Sequence, residues 1–153
     1  MECLIRGRYS RIVESLKFKG LITTEIDIRV LYAHTDKMGV VYYGRYYEYF
    51  EAGRNDMLHK LGYPYVEMEK VNIMLPVIES YCKYSSGAKY DDIIKVKSML
   101  KEVPTVRIRI DYEIIKGEEL IVTGHTVHSF VNAERMKPTR PPERLIEIIK
   151  EKL

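Results

Sequence analysis

The residue with the clearest chemical potential in this sequence is Asp36, a carboxylate just ahead of an aromatic-rich stretch. Gly39 follows three positions later, and this spacing supplies a side-chain acceptor together with a residue that tolerates unusual φ and ψ angles. A carboxylate held in such a loop can attack a carbonyl carbon or activate a water molecule. The same spacing suits a simple turn, and from residue types alone the turn is the more common outcome.

The spacing of the remaining residues does not indicate any other kind of catalytic centre. His125 and His128 lie three apart in a predicted strand, so their side chains point to opposite faces and cannot share a metal ion. The sequence contains no serine elbow, no Cys–His pair and no glycine-rich phosphate loop. We therefore expect chemistry without a metal or a cofactor.

The element that must position Asp36 is a helix predicted over residues 45–61. Its buried face is defined by residues at three- and four-residue steps, namely Tyr46, Phe50, Gly53, Met57 and Leu61. Gly62 and Pro64 then supply a stop signal. Glycine inside a helix costs about 1 kcal/mol relative to alanine, so Gly53 predicts that another backbone packs closely against the helix.

The rest of the chain predicts an antiparallel sheet. Strands are expected over residues 21–32, 73–85 with an interruption at Pro76, 93–103, 106–114 and 120–131. Residues 63–72 are expected to form a loop. A short final helix is predicted to begin at Pro141 or Pro142, with Leu145, Ile146 and Ile149 inward. One early helix followed by turn-linked strands indicates an α+β domain.

Composition and charge exclude several classes of protein. Five of the basic residues lie within residues 1–20, and the remainder of the chain carries 20 residues of each sign, so a nucleic-acid partner is not expected. No apolar run is long enough to cross a membrane. Cys3 and Cys82 form no disulfide framework, which favours a cytoplasmic location. Residues 10–18 could form a short helix within an N-terminal extension.

The motif Thr35-Asp36-x-x-Gly39-Val40-Val41-Tyr42, followed by Tyr46 and Tyr49-Phe50-Glu51-Ala52-x-Arg54, resembles the 4-hydroxybenzoyl-CoA thioesterase-like hot dog family. It is most similar to the acyl-CoA thioesterase branch, which includes the Tol–Pal-associated thioesterases. The resemblance covers the chain from about Ile22 onward and includes the tail Lys137-Pro138-Thr139-Arg140-Pro141-Pro142-Glu143. It implies a hot dog domain over residues 21–153, with an antiparallel β-sheet wrapped around a central α-helix, and residues 1–20 as an extension. It also implies a homodimer or a dimer of dimers.

The resemblance assigns roles within the motif. Asp36 takes the position of the catalytic aspartate, as nucleophile or general base, and the Tyr43 amide takes that of an oxyanion donor. The remaining motif residues are expected to line the substrate site: Gly39, Val40, Val41, Tyr42 and Tyr46. Tyr43 departs from the branch, which usually has His there, and Arg45 stands where the branch commonly has Asn.

Two further expectations follow from the resemblance. Glu48 and Glu51 are alternative carboxylates, because another branch carries its catalytic Glu on this helix; a structural role is favoured for both, with Glu51 paired to Arg54. The implied substrate is an acyl-CoA, and candidate cations for the CoA phosphates are Lys101, Arg107, Arg109, Lys137 and Arg140, although each also suits a solvated face. The turn at residues 101–105 contains few basic residues, so acyl-carrier-protein thioesters are an alternative substrate. The alternatives to an enzyme are a non-catalytic acyl-CoA-binding module and an oligomerisation scaffold.

Overall fold

The structure is a computed structural model and describes residues 20–153, so the short helix predicted over residues 10–18 lies outside the described residues. The helices are α1 (Arg45–Lys60), α2 (Tyr65–Lys70) and α3 (Glu143–Lys152), with a 3₁₀ turn at Tyr32–His34. The strands are β1 (Ile22–Arg29), β2 (Ile73–Met74), β3 (Val77–Tyr84), β4 (Ile93–Leu100), β5 (Arg107–Lys116), β6 (Glu119–Ser129), β7 (Val131–Asn132) and β8 (Lys137–Pro138).

Five strands form one antiparallel sheet in the order β1-β4-β5-β6-β3, and α1 packs against its inner face. The buried face of the helix carries the periodic residues that predicted it, and Phe50 stacks on Tyr112 of β5 with 4.4 Å between ring centroids. Burial of these large side chains supplies most of the driving force for the fold. The predicted α+β class and the antiparallel sheet around a central helix are therefore confirmed.

Gly53 brings α1 unusually close to the sheet. A Cβ added at this position would lie 2.5 Å from the Ser98 hydroxyl oxygen and 2.9 Å from a methyl carbon of Val96, both on β4. The close contact is thus made by side chains of the sheet rather than by another backbone. A side chain at position 53 would therefore require Ser98 and Val96 to move.

Three predicted segments differ from the structure. Residues 63–72, predicted as a loop, contain α2, which Pro64 opens and which buries Met68. The strand predicted over residues 73–85 is two strands in two sheets, because Pro76 cannot donate a ladder hydrogen bond and the chain turns there. The strand predicted over residues 120–131 is likewise split into β6 and β7, and β7 joins β2 and β8 in a small second sheet.

The final helix, α3, closes one end of the core. Leu145 and Ile149 are buried as predicted, whereas Ile146 is only half-buried and Ile148 is buried in addition. Within residues 20–153, no helix combines the length and apolar character needed to cross a membrane.

Candidate active site

The loop that carries Asp36 is closed by its own hydrogen bonds. The Asp36 amide donates to the Val40 carbonyl (2.9 Å), and the Gly39 amide donates to the Asp36 carbonyl (2.9 Å). One carboxylate oxygen of Asp36 accepts the Met38 amide at 2.8 Å. Gly39 has φ +76°, so the turn chemistry predicted for this spacing is present. The other carboxylate oxygen accepts no hydrogen bond within residues 20–153.

Backbone contacts on both sides hold this loop in place. Thr35 and Val41 form an isolated bridge, and the Tyr42 amide donates to the His34 carbonyl at 2.9 Å. The Val41 amide donates to the Ala88 carbonyl at 2.8 Å, which ties the loop to the connection between β3 and β4. Val41 is buried, whereas the half-exposed Asp36 remains open to solvent.

Two consecutive backbone amides are available where α1 begins. The Arg45 amide donates to the Tyr42 carbonyl at 2.9 Å, and the Tyr46 amide makes a long hydrogen bond of 3.4 Å to the Tyr43 carbonyl. The amides of Tyr43 and Gly44 have no acceptor among the described residues. A helix N-terminus carries partial positive charge, so these two amides form a favourable site for a developing oxyanion.

Aromatic rings surround these amides. Tyr42 and Tyr43 are in contact, with 4.6 Å between ring centroids, and both rings are about half exposed. Tyr46 is buried and, like Tyr43, packs against Tyr84 at the end of β3. The Tyr84 hydroxyl donates to the Tyr43 carbonyl at 3.1 Å. The prediction did not include Tyr84, because nothing in its local sequence indicates this contact 41 residues away.

Burial raises the pKa of two phenols and one thiol near the site. Burial raises the pKa of Tyr49 to about 12, and its hydroxyl lies 2.8 Å from the His34 Nδ1 atom. Burial also raises the pKa of Tyr84 and of the Cys82 thiol. A protonated thiol is a poor nucleophile, so the sulfur of Cys82 is not activated for attack on a carbonyl.

The two candidate carboxylates on α1 are either paired with a cation or exposed to solvent. Glu48 receives two hydrogen bonds of 2.8 Å from the Arg45 guanidinium, so these side chains form an ion pair at the start of α1. Glu51 is exposed, and the prediction that it pairs with Arg54 is wrong: no ion pair joins them in the part of the chain described.

Arg54 instead points inward, where its guanidinium lies 3.3 Å from the Nε2 atom of His128. His128 Nδ1 donates to the Leu75 carbonyl at 3.1 Å, so Nε2 is the unprotonated nitrogen that faces Arg54 and the Thr126 hydroxyl (2.9 Å). Burial, with the nearby Arg54 charge, lowers the pKa of His128 to about 4. His125 lies on the opposite face of β6, against Glu79, as strand alternation predicts.

The five predicted phosphate-binding cations do not form one cluster. Lys101 and Arg109 both pair with Asp111 at 3.0 Å. Burial alone would raise the pKa of Asp111, but hydrogen bonds from these two cations hold it below its usual value. Arg107, Lys137 and Arg140 are exposed and make no ion pair within the described residues.

Arg140 borders a groove between the β4–β5 turn and α3, with a volume of about 610 Å³. The other residues that line it are Thr105, Val106, Pro141, Glu143, Ile146, Glu147 and Lys150. Two carboxylates therefore stand beside its two cations, and none of the residues of the Asp36 loop contributes to it. The groove does not have the charge of a dedicated phosphate site.

A five-stranded antiparallel sheet around one helix is the arrangement of the hot dog fold, and an aspartate turn precedes the first amides of that helix. The family model of the thioesterase-like superfamily matches residues 30–149. The chain belongs to this superfamily, and its assignment to the thioesterases and to the hot dog fold is confirmed.

Similar proteins share most of the length of the chain. YneP, a putative acyl-CoA thioesterase of Bacillus subtilis, is 30% identical over 113 residues, which is 73% of this chain and 82% of that protein. The crystal structure of DHNA-CoA thioesterase from Staphylococcus aureus is 35% identical with a TM-score of 0.77, covering 86% of this chain and 89% of that one. A hypothetical protein from Thermus thermophilus is 29% identical with a TM-score of 0.80, covering 86% and 98%.

Proposed function

We propose that this protein hydrolyses acyl-CoA thioesters to a free acid and CoA. The observation that carries the proposal is the pair of available amides, Tyr43 and Gly44, on the same loop-to-helix segment as Asp36. Acyl transfer requires a carboxylate or an activated water to attack the carbonyl, and donors that stabilise the resulting negative oxygen. The names of the similar proteins, among them an acyl-CoA and a DHNA-CoA thioesterase, support the same substrate chemistry.

In the proposed reaction the thioester carbonyl oxygen accepts hydrogen bonds from the two amides. Asp36 then acts by one of two routes. As a nucleophile it forms a mixed anhydride and expels the CoA thiolate, and water then cleaves the anhydride; as a general base it takes a proton from the water that attacks the carbonyl. Trapping by hydroxylamine, which intercepts an anhydride bound to Asp36, distinguishes the first route from the second.

The two departures from the acyl-CoA thioesterase branch fit this proposal. The donor at position 43 is a backbone amide, so a Tyr side chain in place of His leaves the donor in place. The Arg45 guanidinium is engaged by Glu48, and so it does not place an uncompensated charge beside Asp36. The proposed chemistry therefore depends on Asp36 and the amides, without a histidine.

For the nucleotide end of CoA we propose Arg107, Lys137 and Arg140 as the phosphate-binding cations. Lys101 and Arg109 already share Asp111, and transferring either to a phosphate would break a hydrogen-bonded ion pair. If these contacts are weak, the acyl group and pantetheine arm dominate binding. The alternative substrate is then an acyl-carrier-protein thioester, which lacks the nucleotide.

We further propose that the protein is a homodimer joined along β3. This strand lies at the edge of the sheet, next to the proposed site, and exposes apolar side chains along its length: Val77, Ile78, Tyr81 and Tyr84. An open apolar edge strand is a liability that pairing with a second copy removes. The resemblance implies the same state, with a dimer of dimers as its extension.

Thiol release from a panel of thioesters tests the proposed function. The panel contains short, long and aromatic acyl-CoAs, together with the matching acyl-pantetheine compounds that lack the nucleotide. We expect turnover of at least one acyl-CoA with a higher kcat/KM than its pantetheine counterpart. Equal kcat/KM values favour the carrier-protein alternative. Saturable acyl-CoA binding without thiol release means that the protein is a binding module and that the proposed function is wrong.

A further inference from the structure

We propose that Tyr84 positions the second oxyanion donor, the amide of Gly44. The Tyr84 hydroxyl donates to the Tyr43 carbonyl at 3.1 Å, and this carbonyl belongs to the same peptide group as the Gly44 N–H. Because a peptide group is planar and its C=O and N–H point in opposite directions, fixing the carbonyl fixes the direction of the amide hydrogen. Tyr84 is thus a positioning residue, since it acts on the substrate only through this peptide group.

The helix alone holds this peptide group loosely. The only other hydrogen bond to the Tyr43 carbonyl among the described residues comes from the Tyr46 amide, at the long distance of 3.4 Å. By contrast, the preceding carbonyl, that of Tyr42, is held by the Arg45 amide at 2.9 Å. A donor to the carbonyl side also polarises the peptide group, which strengthens the hydrogen bond that its N–H donates. The Tyr84 hydroxyl therefore orients and polarises the peptide group between Tyr43 and Gly44, which the helix itself holds only by a long hydrogen bond.

The backbone and the ring of Tyr84 are both held in place by neighbouring residues. It is the last residue of β3, where it pairs with Val122, and its ring packs against Tyr46 at 5.6 Å between centroids. Burial raises the pKa of its hydroxyl, with the neighbouring Cys82 thiol as a further cause. The hydroxyl consequently remains a hydrogen-bond donor at neutral pH.

This inference rests on the proposed function, and Tyr84→Phe tests it, because the variant keeps the ring and removes only the hydroxyl. The matched control is Tyr90→Phe in the connection between β3 and β4, whose ring packs against Tyr32 and whose hydroxyl makes no hydrogen bond within residues 20–153. We expect kcat to fall about 10-fold in Tyr84→Phe with KM within about twofold, since a donor used in the transition state affects kcat. Tyr90→Phe should keep wild-type kcat.

A spectroscopic signature separates positioning from a general loss of structure. A ketone analogue of the substrate, with a methylene group in place of sulfur, binds without turnover, and its carbonyl stretching frequency reports the strength of the donors. We expect a higher carbonyl stretching frequency on Tyr84→Phe than on the wild type or Tyr90→Phe. An unchanged frequency together with unchanged kcat, or an equal loss of kcat in both variants, overturns the inference alone. A wild-type protein without thiol release overturns the proposed function and this inference with it.

Discussion

The half-buried Arg54 pairs with the buried His128, and only the arginine is charged at neutral pH. The sequence placed Arg54 next to Glu51 on the helix, but the arginine turns toward the sheet, where His128 presents a nitrogen lone pair. The spacing of residues along the helix cannot predict that Arg54 contacts His128 rather than Glu51, because His128 belongs to β6. The histidine has to stay neutral for the pair to be stable, since a second positive charge would face the guanidinium in a buried site.

This pair predicts that the protein loses stability on mild acidification. The pKa of His128 is about 4 in the folded protein, against about 6.5 in the unfolded chain, so the unfolded state binds more protons between these values. Stability is therefore complete above about pH 6.5 and falls as the pH drops toward 4. We expect the free energy of unfolding to be about 2 kcal/mol lower at pH 5 than at pH 7.5 from this group, measured by urea unfolding.

Two variants separate this effect from other titrations. In His128→Gln the pH dependence between 5 and 7.5 should shrink by about the amount assigned to His128. His59→Gln, which replaces an exposed histidine on α1, is the control for the removal of a histidine. A pH dependence that is the same in His128→Gln as in the wild type would contradict the account of this pair.

At the scale of elements, α1 was predictable because its apolar period extends over four turns and ends at Gly62. The turn around Asp36 was predictable for a similar reason, since its hydrogen bonds are local. Helix α2 was missed because six residues are too few for a period to stand out. The hydrogen bond from Tyr84 to Tyr43 joins distant parts of the chain, so no local pattern could indicate it.

The contact between α1 and β4 predicts that Gly53→Ala destabilises the protein. Alanine would favour the helix by about 1 kcal/mol. However, the new Cβ would overlap Ser98 and Val96, and overpacking of a core costs about 1–3 kcal/mol. We expect a net loss of stability of up to about 2 kcal/mol in thermal or urea unfolding. The control is Glu51→Ala on the exposed face of the same helix, which should change stability by less than about 0.5 kcal/mol. A Gly53→Ala protein that is more stable than the wild type would contradict the packing described.

At the scale of the whole molecule, the sheet ends in the exposed strand β3, and the proposed site lies beside it. Composition and strand pattern predicted the antiparallel sheet. That the sheet wraps around the helix was predicted only from the family resemblance. The order of the strands also places β3 next to β6 and far from its sequence neighbour β4, an arrangement that depends on long-range pairing. The edge beside the site is therefore a property of the whole fold.

The proposed dimer predicts the behaviour of Ile78→Lys. A charged side chain on an apolar edge opposes pairing, so we expect this variant to sediment as a monomer at concentrations where the wild type is a dimer. Leu120→Lys is the control, because Leu120 is similarly exposed but lies at the β5–β6 hairpin. A wild-type protein that sediments as a monomer, or a dimer unaffected by Ile78→Lys, would rule out pairing along β3.

The measurement that tests the central claim most directly is the kcat of Asp36→Asn on the best acyl-CoA substrate. Asparagine keeps a side-chain oxygen for the Met38 amide, so the turn is preserved while the carboxylate is lost. We predict a fall in kcat of about 10²- to 10⁴-fold, with unchanged melting temperature and oligomeric state, and wild-type kcat in the surface control Asp27→Asn. An Asp36→Asn protein that keeps wild-type kcat would contradict the account and direct attention to Glu48 or Glu51.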